Sequence, residues 1–131
     1  MVNSASNSQY IPGTCNIGAG EIRRRQSVAL FGLFLTVFSM TTLLATDQSK
    51  SARLSVFIPA MIFSVGFIQS RSKFCLAYGL AGTFNFDKLG KISKVGSAED
   101  RAADRKTAIQ ILTKSFALAA LITVVFLVLP L

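Results

Sequence analysis

Ser27-VALFGLFLTVFSMTTLLA-Thr46 sets the class of this chain, because twenty consecutive residues carry no ionisable side chain. A helix rises about 1.5 Å per residue, so about 20 apolar residues cross the hydrocarbon core of a bilayer. Only Ser, Thr and Gly interrupt the apolar run. A soluble segment would show polar positions every second residue or every three to four. Leu54–Ser70 and Ser115–Leu131, 17 residues each, also lack charge. Both sit at the short end of a spanning length, with helix-compatible sequence beside them.

Composition agrees. The 131 residues are 51% apolar and 15% charged, against about 25% charged in ordinary soluble domains. Blocked rather than periodic apolar residues predict a membrane protein. A net charge of +8 would suit nucleic acid, but basic residues beside membrane spans have a simpler role at the cytoplasmic headgroups. Nucleic acid is therefore not an expected partner.

The distribution of charge predicts topology. Of fourteen Lys and Arg, only Lys50 and Arg53 lie between the first two gaps. Three precede the first gap, and nine fall between Arg71 and Lys114 with four acids. Under the positive-inside rule the N-terminus and the long second loop are cytoplasmic, and three crossings leave the C-terminus outside. The expected fold is all-α: a three-helix transmembrane bundle with spans near 27–46, 54–70 and 108–130. Cleavage of the first segment as a signal peptide is not expected. Its n-region is long, and a cut after Ala45 would put Leu43 where a small residue is wanted.

Residues 1–20, rich in Ser, Asn and Gly, read as a mobile polar tail ordered only near Cys15. Residues 21–131 form one membrane domain. A helix should begin near Gly18-Ala19-Gly20-Glu21, with Glu21 favouring its dipole. Pro59, one turn inside the second span, predicts a kink. Residues 71–83 read as a helical extension at the interface, leading into a basic cytoplasmic segment over 71–97. Ser97 followed by Asp100 is a variant capping box. From Ala98 a helix of about 32 residues should run to about Leu129, on the order of 48 Å, so its first turns protrude into the cytoplasm. On those turns Asp100, Asp104, Arg101 and Arg105 read as a solvated surface.

Small residues recur at helical spacing: Gly32, Thr36 and Ser39; Ala60 and Ser64; Ser115, Ala119 and Thr123. Such stripes let helices approach closely in lipid. Arg23, Arg24, Arg25, Arg71, Lys73, Lys88, Lys91 and Lys94 are candidate contacts to anionic lipid headgroups.

Chemistry is sparse. No Asp, Glu, Lys, Arg or His lies in the apolar gaps, which argues against an ion or proton pathway. The chain has no His, so the usual base of serine hydrolases and the usual ligands of metalloproteases are missing. No cofactor and no catalysis are expected. Cys15 and Cys75 both fall on the cytoplasmic side. They are a candidate thiol pair for redox sensing or metal sharing, or two unpaired cysteines in small, half-buried sites.

Cys15-Asn16-Ile17-Gly18, Glu21 with Arg24-Arg25, and Lys73-Phe74-Cys75 resemble a pattern in small bacterial three-span membrane proteins, which also place an Asn near Asn85. The resemblance covers about a third of the chain. It implies no activity, a bacterial inner-membrane location, and joint action of Cys15 and Cys75. The expected role is an accessory, scaffolding or assembly subunit that binds the bilayer and another membrane protein or its own copy. A thiol protein using Cys15 and Cys75 is the alternative. A homo-oligomeric channel lined by Ser39, Thr42, Ser64 and Thr123 is the third.

Overall fold

The computed structural model describes residues 10–86 and 92–130. Three long helical segments dominate it. Helix α1 spans Ala19–Ala45, and a 3-10 helix over Lys50–Val56 leads into α2, Phe57–Ser72. A short helix α3 covers Leu76–Ala81, and strands β1 (Thr83–Phe84) and β2 (Ser93–Lys94) pair antiparallel, Thr83 with Lys94 and Phe84 with Ser93. Helix α4 runs over Ala98–Val128. Ala19–Ala45, Lys50–Ser72 and Ala98–Val128 are each long and apolar enough to cross a membrane.

Helix α2 packs against both α1 and α4. Contact with α1 is close because two glycines remove side chains from the crossing. A Cβ on Gly32 would lie 2.3 Å from the Phe63 nitrogen, and one on Gly66 would lie 2.7 Å from the Ala29 nitrogen. Thr36, Ala60, Ser64, Ser115, Ala119 and Thr123 are buried between helices, whereas Ser39 is half-buried. Val56, Ala60, Ala119 and Phe126 form one apolar core near the end of α4. Large apolar side chains such as Leu30, Phe34, Phe38, Ile58, Phe116 and Leu121 point outward, as an apolar solvent permits.

Helix ends follow their chemistry. Ser97 Oγ accepts from the Asp100 amide and caps α4, with Glu99 and Asp100 in the first turn. Pro59 falls in the first turn of α2, where an amide proton has no intrahelical partner. Two residues before it the chain changes helix type, from 3-10 to α at Phe57. The helical extension expected over 71–83 is present but interrupted. Lys73 adopts a left-handed conformation (φ 54°), the Phe74 amide donates back to the Gln69 carbonyl, and α3 starts afresh at Leu76.

Arg53, just before the second span, is 5% exposed, with its guanidinium on the Phe126 ring and donating to the Phe126 and Leu129 carbonyls at 3.0 and 3.1 Å. Those carbonyls end α4 and have no intrahelical donor, so a buried cation there satisfies them and the helix dipole together.

Candidate functional site

At the opposite end of the bundle the polar residues converge. Residues 10–18 form a strap packed on the helices, so the tail expected over 1–20 is a packed segment from Tyr10 onward; residues 1–9 lie outside the described residues. The Ile11 and Cys15 backbones bond reciprocally at 2.9 Å around Gly13, whose φ of 70° suits glycine. The Tyr10 ring stacks on Phe84 with centroids 4.8 Å apart. Asp104 receives the strap: its carboxylate accepts from Tyr10 Oη at 2.5 Å and from the Gly13 amide at 2.7 Å. Thr107 Oγ1, on the same face of α4, donates to the Gly13 carbonyl at 2.6 Å. Asp104 is fully buried, which corrects its reading as solvated surface.

Asn16 is the next anchor. Its Oδ1 accepts from the Cys75 amide at 2.8 Å and its Nδ2 donates to the Cys75 carbonyl at 3.2 Å. Its own amide reaches the Lys73 carbonyl, and its carbonyl accepts from the Asn85 amide. Asn16 thus stitches the strap to the α2–α3 connection and to the residue after β1. Its amide side chain, donor and acceptor together, holds the Cys75 backbone, and its own backbone makes the links to Lys73 and Asn85.

Glu21 lies at the centre, fully buried in the first turn of α1. One carboxylate oxygen pairs with Arg25, while the other accepts from Tyr78 Oη at 2.8 Å and Asn85 Nδ2 at 2.7 Å. Arg25 sits 5.5 Å from the Tyr78 ring centroid, and its Nη2 donates to Cys75 Sγ at 2.8 Å. Arg25, expected at the headgroups with its neighbours, is therefore turned inward, while Arg23 and Arg24 remain exposed. Burial, then the hydrogen bond to the Glu21 carboxylate, raises the Tyr78 phenol above its ordinary value. Burial, then the bond to Asp104, raises the Tyr10 phenol likewise.

Both cysteines are free. The network brings their backbones near each other through Asn16, but each thiol has its own neighbour. Cys75 is buried against Arg25, whereas half-buried Cys15 points to the Ile17 carbonyl at 3.8 Å. Burial raises the Cys15 thiol, opposed by the Lys73 charge. Among the described residues no group of three His, Cys, Asp or Glu could hold a metal. Arg71, Lys73 and Lys94 are exposed, and Lys88 and Lys91 lie outside the described residues.

Asn16, Glu21, Tyr78, Asn85, Tyr10 and Asp104 were not among the site candidates read from sequence. The resemblance pattern included Asn16, Glu21 and Asn85, and helical spacing held a signal for Glu21 and Asp104. On α1 the buried positions Ala29, Gly32 and Thr36 continue backward by fours to Arg25 and Glu21. On α4 the stripe Thr123, Ala119, Ser115, Ile111, Ala108 continues backward by four to Asp104. No family model matches the chain, and neither does a curated protein or a solved structure.

Proposed function

We propose that the chain is a non-catalytic, three-span integral membrane protein that works by binding, as an accessory, scaffolding or assembly subunit of a larger membrane complex. The observation that carries this reading is the use of its buried ionisable groups. Glu21, Arg25, Arg53 and Asp104 all bond to side chains or backbone of this chain. Groups fully engaged in holding helices and strap together are ill-suited to proton transfer or turnover. Arg23, Arg24, Arg71, Lys73, Lys94, Arg105 and Lys106 stay exposed around the polar end, a basic collar suited to anionic headgroups or an acidic partner. With that collar cytoplasmic, the N-terminus is inside and the C-terminus outside. The resemblance to small bacterial three-span proteins supports an inner-membrane location.

Extraction in mild detergent followed by native gels and mass spectrometry tests the role. The chain should migrate above its monomer mass with a second membrane protein or a second copy. Migration at monomer mass alone would sink the accessory role. Topology is tested separately by a C-terminal fusion to a reporter active only in the cytoplasm, which should stay inactive.

The Arg25–Cys75 contact favours a second reading, a thiol protein responsive to oxidants or metal. Under the first reading a Cys15→Ser/Cys75→Ser double variant assembles normally. Under the second it loses the oxidant or metal response.

A further inference from the structure

We propose that the flank of the α1–α2 crossing is a binding site for one anionic glycerophospholipid, its acyl chain in an apolar groove and its phosphate at Arg71. The proposal rests on the membrane-spanning reading but not on an accessory role or on which face holds the N-terminus. Its failure is therefore separable from theirs.

The groove exists because of the glycines. With Gly32 and Gly66 bringing the α1 and α2 backbones together, the larger residues on either side of the contact are left as walls. Leu30 and Leu33 stand on α1, Phe63 and Phe67 on α2, with Ala29 between them, enclosing about 340 Å3. Leu33 lies seven residues below Gln26, so the groove descends about 10 Å from its rim, at 1.5 Å per residue. That depth lies along two spanning segments, where the available occupant is hydrocarbon.

The rim differs in chemistry from the walls. Gln26 and Arg71 close the groove at the basic end of the bundle, with Ser70 beside them. The Ser70 hydroxyl is already directed at the Phe67 carbonyl, which leaves Arg71 and Gln26 as the outward donors. Arg71 is exposed, its guanidinium rests 5.9 Å from the Phe67 ring centroid, and no carboxylate among the described residues pairs with it. A planar cation held over the mouth of an apolar slot, with an amide opposite, matches a phosphate whose acyl chain enters that slot. A zwitterionic headgroup carries its own cation and loses much of that attraction. A soluble anion would have no use for the groove.

Native mass spectrometry of the full-length chain, released from nanodiscs of phosphatidylglycerol mixed with phosphatidylcholine, tests the site. Wild type should retain one phosphatidylglycerol per chain in preference to phosphatidylcholine. Arg71→Gln should cut that retention by about fivefold, the loss of one charge-assisted contact to the bound phosphate. Arg23→Gln removes the same charge from an exposed position outside the groove and should leave retention within about twofold. Leu33→Trp, which fills the slot without changing charge, should lower retention of both lipids. Each variant is compared at equal yield of folded chain, since Arg71, Arg23 and Leu33 are all exposed. Equal losses in Arg71→Gln and Arg23→Gln would overturn the proposal in favour of diffuse attraction. So would equal retention of the two lipids, or no retained lipid in wild type.

Discussion

Glu21 shows how one carboxylate can be kept in a place that sequence alone would not have offered it. It is fully buried, and each of its oxygens has at least one donor from Arg25, Tyr78 or Asn85. Removing one member of such a pair leaves the other charge buried and uncompensated, which is worse than never having had the pair. Glu21→Ala should therefore destabilise the chain by about 3 kcal/mol, whereas Arg23→Ala, two residues away and exposed, should stay within about 0.5 kcal/mol. Denaturant titration in detergent measures both. The two tyrosines respond to pH. Their folded values lie above the ordinary 10.0, so both folded and unfolded chains hold neutral phenol below that pH and the contribution is full. Above pH 10 the unfolded chain ionises first, and stability falls as pH rises toward the folded values. Tyr10→Phe/Tyr78→Phe should be less stable than wild type at neutral pH but lose less on going above pH 10. Thermal scans across that range, with phenolate absorbance, decide the matter.

At the scale of the element, one rule links Glu21, Arg25, Asp104 and Arg53. Each lies on the backward continuation of a helix's small-residue stripe. Glu21 and Arg25 extend the face of Gly32 and Thr36, Asp104 extends that of Ser115 and Ala119, and Arg53 precedes Val56, Ala60 and Ser64 by three, seven and eleven residues. A stripe that buries small residues in mid-span goes on burying whatever occupies it beyond the span, so the polar residues there need internal partners. The stripes are legible from spacing; their continuation into charged sequence is not, because Asp, Glu, Lys and Arg are almost never fully buried unless paired, and most of that pairing is not local. Two substitutions test the elements. Gly32→Leu would force a side chain into the Phe63 backbone and should destabilise by about 3 kcal/mol or prevent folding, while Gly20→Ala, with nothing within 4 Å of the added Cβ, should be tolerated. Arg53→Ala leaves the Phe126 and Leu129 carbonyls without their donor and should cost about 2 kcal/mol. Faster hydrogen exchange confined to the last turns of α4 would mark that loss as local fraying.

For the molecule as a whole, the polar cap joins segments that are distant in the chain. The strap meets α4 through Asp104 and Thr107, the α2–α3 connection through Asn16, and the residue after β1 through Gly18 and Asn85. Asp104→Ala should release the strap while leaving the spans assembled. Limited proteolysis should then cut faster within residues 10–18, with little change in helix content by circular dichroism. Equal protection in wild type and variant would mean that Asn16 alone holds the strap. Three charge-free runs and the residues flanking them determined, from sequence alone, that the chain has three helices of spanning length, because the energy of placing charge in hydrocarbon depends on composition and length and not on the fold. The Ser97 cap and the long run of α4 were local in the same sense. The inward turn of Arg25, the burial of Asp104 and the seat of Arg53 on the end of α4 depended on partners 50, 94 and 73 residues away. A side chain's need for a partner is written in its own chemistry. Which partner answers it is decided only when the helices meet.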